Sequence, residues 1–443
     1  MATSAVVVPE ADLLQLNGKP EGDSDLPAHS NDPQGNAAGG EVTSMADTAA
    51  PAKADRGADL LAEEEADEGP ALLRAAAREE SRSSVAKQMS VESLSLRETV
   101  SLQLGNSDYY EGEVRDGLMD GKGLYKFSDG NEYFGGWRKG KKHGRGSFKW
   151  ANGDVYDGNW EAGKMSGKGR IDLRGKLLYD GEWLDGRCHG KGACRYHNGD
   201  KFVGEYRAGT RHGFGRLVRV DGHVYEGEWS GACLEGHGVC KYPNGDSYEG
   251  DWKASMRDGR GVQKYHNKWC YDGDWQQDKR SGTGRLYSTD TPQEYEGEFK
   301  EGERWGQGRE VGLDGTEYVG DWRDGIREGW GTAKYADGSV YRGLWKCGAR
   351  HGTGILTSAD GTRYEGEWSA DRQQGHGTLT SPDGSHYEGL FRKGVMCGQG
   401  TKHMAGGDVY AGTWKAGYQH GHGKMTWAQG GSFQGEWDKG RMH

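Results

Sequence analysis

The sequence from Tyr110 onward repeats one pattern, Tyr-x-Gly-x-Trp followed by Gly-x-Gly, about every 23 residues. A period of this length is typical of repeat proteins, in which one unit cannot bury a core alone and consecutive units stack. The period therefore predicts an array of fifteen similar units. The aromatic residues that open the units are Tyr110, Tyr133, Tyr156, Tyr179, Phe202, Tyr225, Tyr248, Tyr271, Tyr295, Tyr318, Tyr341, Tyr364, Tyr387, Tyr410 and Phe433.

The spacing inside one unit predicts a β-hairpin. Tyr156, Gly158 and Trp160 stand two residues apart, and residues two apart share a face of a strand. Glycine disfavours a helix and the apolar spacing is 2 rather than 3.6, so a helix is the weaker interpretation. The second pair of glycines predicts a second strand with room for the rings of the first. Dipeptides such as Asn152-Gly153 supply the positive φ that tight hairpin turns need.

Consecutive hairpins predict an all-β fold, an elongated single-layer antiparallel meander of about fifteen 23-residue hairpins. One face carries the rings and glycines. The other carries acidic residues on the first strand and basic residues on the second, for example Glu111 and Glu113 against Lys122 and Lys126. Such cross-strand pairs contribute about 0.2 to 1 kcal/mol each, and a solvated face is their usual meaning.

These residues resemble the MORN repeat, whose consensus Tyr-x-Gly-x-Trp-x-x-Gly-x-x-x-Gly-x-Gly is closely met from Tyr364 through Trp368 to Gly375 and Gly377. The resemblance covers about three quarters of the chain. Some families with this repeat also carry a kinase or methyltransferase domain, and the junctophilins carry a membrane helix. The present sequence is more similar to the stand-alone arrays of cytoskeletal and ciliary proteins. The resemblance thus implies a non-enzymatic scaffold.

Composition divides the chain into two regions, residues 1–105 and the array of residues 106–443. The first region holds nineteen acidic and eight basic residues, so the formal net charge of −11 belongs to it and the array is neutral. A neutral array lacks the broad positive field expected of a nucleic-acid-binding protein. The first region is rich in Ala, Ser and acidic residues, which predicts a disordered tail, with a capping strand near residues 100–104. Six serines between Ser81 and Ser95 look like phosphorylation targets, although unregulated disorder is the commoner explanation.

No catalytic, cofactor or metal site is predicted. The seven cysteines form no Cys-x-x-Cys pair, which favours reduced thiols in the cytoplasm. Histidines that recur in phase, such as His189 and His212, would lie about 10 Å apart, too far for one metal ion to bridge. No Gly-x-Gly-x-x-Gly or Walker lysine motif occurs in a nucleotide-binding context. An enzyme is therefore not expected, and neither is a cofactor.

The leading hypothesis is a protein-interaction scaffold of the cytoskeleton or cilium, located at an axoneme, basal body or cell cortex. A one-sided sheet is expected to expose part of its ring face, and exposed apolar surface usually marks an interaction site. The expected partners are other cytoskeletal or axonemal proteins, with no nucleic acid, and a homodimer is a further expectation. The free edge from Phe433 to Trp437 could pair with another chain, or the C-terminus at His443 is truncated. The candidate interaction residues are Tyr156, Trp160, Tyr225, Trp229, Tyr364, Trp368, Phe433 and Trp437.

The alternative hypothesis is a membrane-associated module that binds phosphoinositides. It would use basic turns such as the one that contains Arg138, Lys139, Lys141 and Lys142. The equal numbers of acidic and basic residues in the array disfavour this alternative.

Overall fold

The computed structural model describes residues 97–105, 107–174 and 177–443. Residues 1–96 of the predicted disordered tail, with its serine cluster, lie outside these residues. The fold prediction is confirmed, since the strands form one open antiparallel sheet of 31 strands. The first strand, β1 at Glu98–Gln103, pairs with the first strand of the repeat array.

The described residues fall into two compact units. The first contains the described residues up to Gly245 together with Asp251–Met256, and the second contains Asp246–Gly250 and Arg257–His443. The strands of the first unit are β1 (Glu98–Gln103), β2 (Tyr109–Arg115), β3 (Leu118–Lys126), β4 (Glu132–Arg138), β5 (Lys141–Lys149), β6 (Val155–Glu161), β7 (Lys164–Asp172), β8 (Leu177–Leu184), β9 (Arg187–Tyr196), β10 (Lys201–Arg207), β11 (Thr210–Val218), β12 (Val224–Ser230) and β13 (Cys233–Lys241).

The boundary between the units runs through β14 (Ser247–Lys253), whose residues belong partly to each. The remaining strands are β15 (Met256–Lys264), β16 (Trp269–Gln276), β17 (Lys279–Ser288), β18 (Glu294–Lys300), β19 (Glu303–Val311), β20 (Glu317–Arg323), β21 (Ile326–Lys334), β22 (Val340–Lys346), β23 (Ala349–Thr357), β24 (Arg363–Ser369), β25 (Arg372–Thr380), β26 (His386–Arg392), β27 (Val395–His403), β28 (Val409–Lys415), β29 (Tyr418–Thr426), β30 (Ser432–Asp438) and β31 (Arg441–Met442).

Each repeat is a hairpin with a bulge on its second strand. In the hairpin β4–β5, Tyr133 lies opposite Phe148 and Gly135 lies opposite Gly146, and after a register shift Trp137 lies opposite Lys142. A bulge increases local twist and re-aims the side chains that follow it. The bulge therefore lets the residue opposite each Trp reach the ring side of the sheet.

The turn inside each hairpin has two consecutive residues with positive φ. In β4–β5 these are Lys139 at 51° and Gly140 at 82°. Positive φ at both central residues defines a type I′ turn, whose twist matches that of the flanking strands. The turns of neighbouring repeats are also joined, because the Gly163 N–H donates to the Lys142 carbonyl at 2.9 Å. Successive hairpins are thus connected at their tips as well as along their strands.

The turn between repeats is fixed by a polar side chain from the preceding turn. Ala151 N–H donates to Asn131 Oδ1 at 2.8 Å, and Val220 N–H donates to Asp200 Oδ1 at 2.7 Å. Glycine supplies the positive φ here as well, with Gly153 at 90°. The second row of turns is therefore held from one repeat to the next by carboxylate and amide oxygens.

Candidate interaction surfaces

The tyrosine of each repeat lies flat against the facing glycines of its hairpin. A Cβ built on Gly146 would lie 2.3 Å from Tyr133 Oη and 2.6 Å from two carbons of that ring. A contact under 3.0 Å is incompatible with a side chain, so Gly146 must be glycine for the ring to occupy this place. The Tyr133 hydroxyl completes the arrangement by donating to the Gly136 carbonyl at 2.9 Å.

The tryptophan of the following repeat covers the tyrosine in most repeats, and a tyrosine or phenylalanine does so in three. The Tyr133 ring meets the Trp137 ring of its own repeat at 5.1 Å between centroids and the Trp160 ring of the next at 5.3 Å, both edge to face. The Trp160 Nε1–H donates to the Gly146 carbonyl at 3.2 Å, which satisfies the indole donor in a buried place. The same contacts recur through most of each unit and produce a ladder of perpendicular rings.

Long side chains from the bulged strand cover the outer side of this ladder. The Arg257 guanidinium lies 4.2 Å from the Trp275 ring centroid, and Arg350 lies 4.5 Å from that of Trp368. Lys142, which belongs to the predicted basic turn, has the same position, and its Nζ lies 4.2 Å from the Phe148 centroid and 5.0 Å from that of Trp160. Lys142 is only 4% exposed, so this lysine is a ring contact rather than a free surface charge.

Burial in the ladder changes the acidity of the tyrosines. Desolvation raises the pKa of Tyr133 well above its usual value of 10.0, and it raises the pKa of Tyr364 and Tyr387 to about 12. A phenol without water or a cation beside it holds its proton more tightly, because the charged form has lost its solvation. These hydroxyls therefore stay protonated hydrogen-bond donors at neutral pH.

The structure buries six of the eight predicted interaction residues. Five of them are exposed by 4% or less and Trp160 by 6%, and all six pack inside the ladder. The expectation that the sheet would expose part of its ring face is wrong at these residues, since the ring of the next repeat and the bulged strand cover them. Their role in partner binding stays a prediction. The six buried residues are Tyr156, Trp160, Trp229, Tyr364, Trp368 and Trp437.

Tyr225 and Phe433 are only half-buried. The Tyr225 ring leaves its expected place over the glycines and lies parallel to the His223 ring at 6.0 Å between centroids. Phe433 belongs to β30, in which Trp437 and Asp438 pair with the two residues of β31. The pairing of this edge with another chain stays a prediction.

The open side of the sheet, here called the polar face, consists of the residues between Tyr, Gly and Trp and their cross-strand neighbours. Acidic and basic side chains alternate across it, with Arg145 and Asp157 in contact at 3.0 Å and Arg260 and Asp274 at 3.3 Å. Both arginines are more than half exposed, so each pair contributes little to stability. The polar face is therefore accessible in every repeat of the array that the structure describes.

Near the end of the second unit the polar face forms an open groove of about 1000 Å³. Small side chains and glycines form its floor, including Thr401, Ala411 and Gly412, while His422 and Lys424 line it from one strand. Donors and acceptors stand at regular strand spacing here, which suits an extended polar segment. The sequence interpretation missed this groove because small residues carry no chemical motif.

Sequence reasoning also missed several large apolar residues that are exposed on the polar face. Comparison of the repeats position by position would have found them, because they replace residues that are polar or charged in most other copies. They are Phe134, Val203, Phe214, Val319 and Trp330, all between 51% and 62% exposed.

Among the described residues, no group of three or more histidine, cysteine or carboxylate side chains is arranged to hold a metal ion. The cysteines are all free thiols, and Cys188, Cys194, Cys240 and Cys270 are buried. Within the same residues, the fold contains no helix with the length and hydrophobicity of a membrane span.

The chain resembles several solved structures only loosely. They include the TCP domain of Drosophila melanogaster SAS-4 in complex with a proline-rich motif of Ana2, at 13% identity and a TM-score of 0.20, covering 45% of this chain and 90% of that one. The TCP10 domain of Danio rerio CPAP has 11% identity, a TM-score of 0.13 and covers 71% of this chain and 99% of that one. Virginiamycin B lyase of Staphylococcus aureus has 8% identity, a TM-score of 0.11 and covers 56% and 83%. Such TM-scores carry no functional inference.

The sequence comparisons are more informative. No curated protein sequence matches the chain significantly. The model of the MORN repeat matches fifteen consecutive segments, from residues 110–132 to residues 433–443. These segments overlap every hairpin described above, and MORN repeats suggest a protein-interaction scaffold. The chain therefore belongs to the MORN repeat family.

Proposed function

We propose that this protein is a non-enzymatic scaffold of the cytoskeleton or cilium that binds other proteins along its polar face. The observation that supports the proposal is that the two faces of the sheet have different roles. The rings and glycines of the ring face pack each repeat against the next and are buried. The polar face is exposed, and its residues differ from repeat to repeat. A regular backbone with variable exposed side chains is suited to binding partners at defined spacings.

Within the polar face, the groove at residues 376–435 is a proposed partner site. It combines charged and neutral hydrogen-bonding side chains, among them Glu388, Gln399 and Lys424, over glycines that permit close backbone approach. An extended segment of a partner could match the strand spacing of about 4.8 Å with its own polar groups. The support for a cytoskeletal or ciliary partner is the similarity to stand-alone MORN arrays. A homodimer through the last strands belongs to the same proposal.

The first experiment follows tagged full-length protein in its own cells before and after detergent extraction. Retention on axonemes, basal bodies or cortex would support the scaffold, and loss with the membrane fraction would favour the phosphoinositide alternative. Co-sedimentation with phosphoinositide vesicles at physiological salt separates the two further, because screening weakens non-specific charge contacts. Stable vesicle binding without cytoskeletal retention would contradict the proposal.

A substitution in the groove tests the proposed surface directly. Ala411→Arg would place a long side chain across the floor, so partners recovered by affinity capture from the cytoskeletal fraction should fall several-fold. Ala405→Arg is the matched control, because Ala405 is exposed in a turn between repeats and does not line the groove. Equal recovery by both variants would exclude the groove as the partner site.

A further inference from the structure

One place on the polar face reverses the charge and polarity pattern of the whole array. At the position after each repeat tyrosine, nine of the fifteen copies carry Glu or Asp, and Arg342 is the one Lys or Arg. At the position between the Gly-x-Gly glycines, Trp330 is the one tryptophan. Both departures occur in neighbouring strands, β21 and β22, and so fall on one surface.

The strand register brings the exceptional side chains together. Trp330 lies opposite Leu344, and Arg342 lies opposite Thr332 on one side and Ile355 on the other. Val319 lies opposite Thr332 and extends the apolar surface by one strand. Directly opposite side chains in an antiparallel sheet have Cβ atoms about 4.5–5.5 Å apart, so these groups form one contact surface. We call Val319, Trp330, Arg342, Leu344 and Ile355 the reversed patch.

The reversed patch exposes its apolar groups to solvent. Trp330 is 59% exposed and Val319 is 51% exposed, while Leu344 and Ile355 are half-buried beside them. Tryptophan and arginine are the residue types that most often dominate binding energy at protein interfaces. A large ring, aliphatic neighbours and a cation therefore make a surface suited to a segment that offers both leucine-like side chains and carboxylates.

Arg342 has no carboxylate within 4.0 Å among the described residues, unlike the paired arginines elsewhere on the polar face. The nearby acids already have partners. Glu365 contacts Arg363 at 2.6 Å, and Asp321 accepts a hydrogen bond from the Trp330 N–H at 2.6 Å. The positive charge of Arg342 is therefore available to an incoming anion.

The chain itself contains a segment of complementary chemistry. Residues 59–68 read Asp-Leu-Leu-Ala-Glu-Glu-Glu-Ala-Asp-Glu, with adjacent leucines at 60 and 61 and six carboxylates without a basic residue. All the net negative charge of the protein lies in residues 1–105, whereas the array is neutral. From this charge and apolar complementarity we propose that the reversed patch binds residues 59–68 of this protein. Leu60 and Leu61 would pack on Trp330 and Val319, with a carboxylate of the segment on Arg342.

The proposal extends the scaffold function, because occupation of the patch by the acidic segment would exclude a partner from these repeats. It does not depend on the groove or on a cytoskeletal location. The two ideas therefore fail separately, since the groove is tested by partner recovery and the patch by a contact within this protein.

Site-specific photo-crosslinking of the full-length protein tests the contact. Benzoylphenylalanine at position 319 should crosslink to residues 59–68, identified by mass spectrometry of the digested product. The matched control is the same probe at position 203. Val203 occupies the same repeat position as Val319 and is 57% exposed, and the next strand carries an exposed aromatic residue, Phe214, as it does near Val319. The difference is that the Arg216–Glu226 ion pair lies beside Val203 instead of an arginine without a carboxylate partner.

Substitutions define the chemistry of the contact. Arg342→Glu and Trp330→Thr install residue types that other repeats carry at these positions, so both variants should fold. Each should reduce the crosslink yield from position 319 at least tenfold, and Phe214→Thr should leave it unchanged. The proposal would be overturned if residues 59–68 crosslinked with equal yield from positions 203 and 319. It would also be overturned if the crosslinked product from position 319 lacked this segment.

Discussion

At the residue scale, the tyrosine and the two facing glycines of each repeat act as a single packing unit. The sequence predicts this relation, because a ring and two glycines recur at fixed spacing on one face of a hairpin. The structure agrees with this prediction, because the Tyr341 side chain is 0% exposed. The coverage of the rings was not predictable in the same way, because alternation shows which face a residue occupies but not what packs on that face.

Gly354→Ala tests how closely the ring approaches the backbone. A Cβ at Gly354 would lie 2.3 Å from Tyr341 Oη and 2.6 Å from the ring, so the ring or the strand must move. Overpacking of this kind typically costs about 1–3 kcal/mol, and we expect at least that loss in the free energy of unfolding. Hydrogen exchange of β22–β24 measures it locally. Gly406→Ala is the control, because no atom lies within 4 Å of a Cβ at Gly406, and an equal loss in both variants would contradict the ring-on-glycine packing.

At the scale of elements, the bulged strand determines what covers the ladder. The sequence interpretation predicts the hairpin and its turns but missed the bulge. Its signal is the first glycine of each Gly-x-Gly pair, because Gly144 lies among the extra residues with φ at 70° and bulges often contain such a glycine. Arg257 shows the consequence. It lies on the Trp275 ring, its Nε donates to Asp278 Oδ1 at 2.9 Å, and its Nη2 donates to the Asp278 carbonyl at 3.0 Å. One side chain thus joins the ring ladder to the hairpin turn of the next repeat.

Arg257→Ala should weaken the joint between β15 and the hairpin β16–β17. It removes the cation–ring contact, the bridge to Asp278 and the hydrogen bond from Arg257 to Gln263 at 3.1 Å. Loss of such a part-buried network is expected to cost about 2–4 kcal/mol, since the Asp278 carboxylate and the Trp275 ring lose their partner. Faster amide exchange in β16–β17 would reveal it. Arg260→Ala, at an arginine with a side chain 62% exposed, should change exchange little, and equal effects would show that the stacked position has no special role.

Asp200→Ala tests the second row of turns. Asp200 is 6% exposed and its Oδ1 accepts the Val220 N–H at 2.7 Å, which joins two successive turns between repeats. Without this acceptor the Val220 N–H loses a part-buried hydrogen bond to a charged group, at a cost of about 1–3 kcal/mol. The variant should show increased amide exchange at Val220 and in the turn that follows β11. Asp200→Asn keeps an acceptor oxygen and should restore most of the protection, and failure of both variants to change exchange would refute the role of Asp200.

At the scale of the whole molecule, stability depends on many copies of the same few contacts. The sequence predicts the family and the sheet because the period averages over fifteen copies. It does not predict the departures, such as the Tyr225 ring beside His223 or the reversed patch, because each occurs once and its meaning depends on the cross-strand neighbours. Function is therefore to be sought at the positions where a copy differs from the rest.

The repeated burial of tyrosine predicts collective unfolding in alkaline solution. The pKa of Tyr364 and Tyr387 is about 12 in the folded protein against 10.0 for a free tyrosine, and burial raises the pKa of the other ladder tyrosines too. Between pH 10 and 12 the unfolded chain has lost these protons and the folded chain has kept them. Since the unfolded state then binds fewer protons, stability falls as the pH rises through this window and is fully present below pH 10.

The measurement is a pH titration from 9 to 12.5 that records phenolate absorbance and far-ultraviolet circular dichroism together. Because every buried tyrosine contributes in the same direction, we expect the ladder phenols to ionise in the same narrow interval in which the strand signal is lost. Tyr418, with 58% exposure, lies outside the ladder, so Tyr418→Phe should leave that interval unchanged. Ionisation of most tyrosines with the sheet intact would mean that water reaches the rings in the folded state, and the ladder would then be an open surface rather than the core of the array.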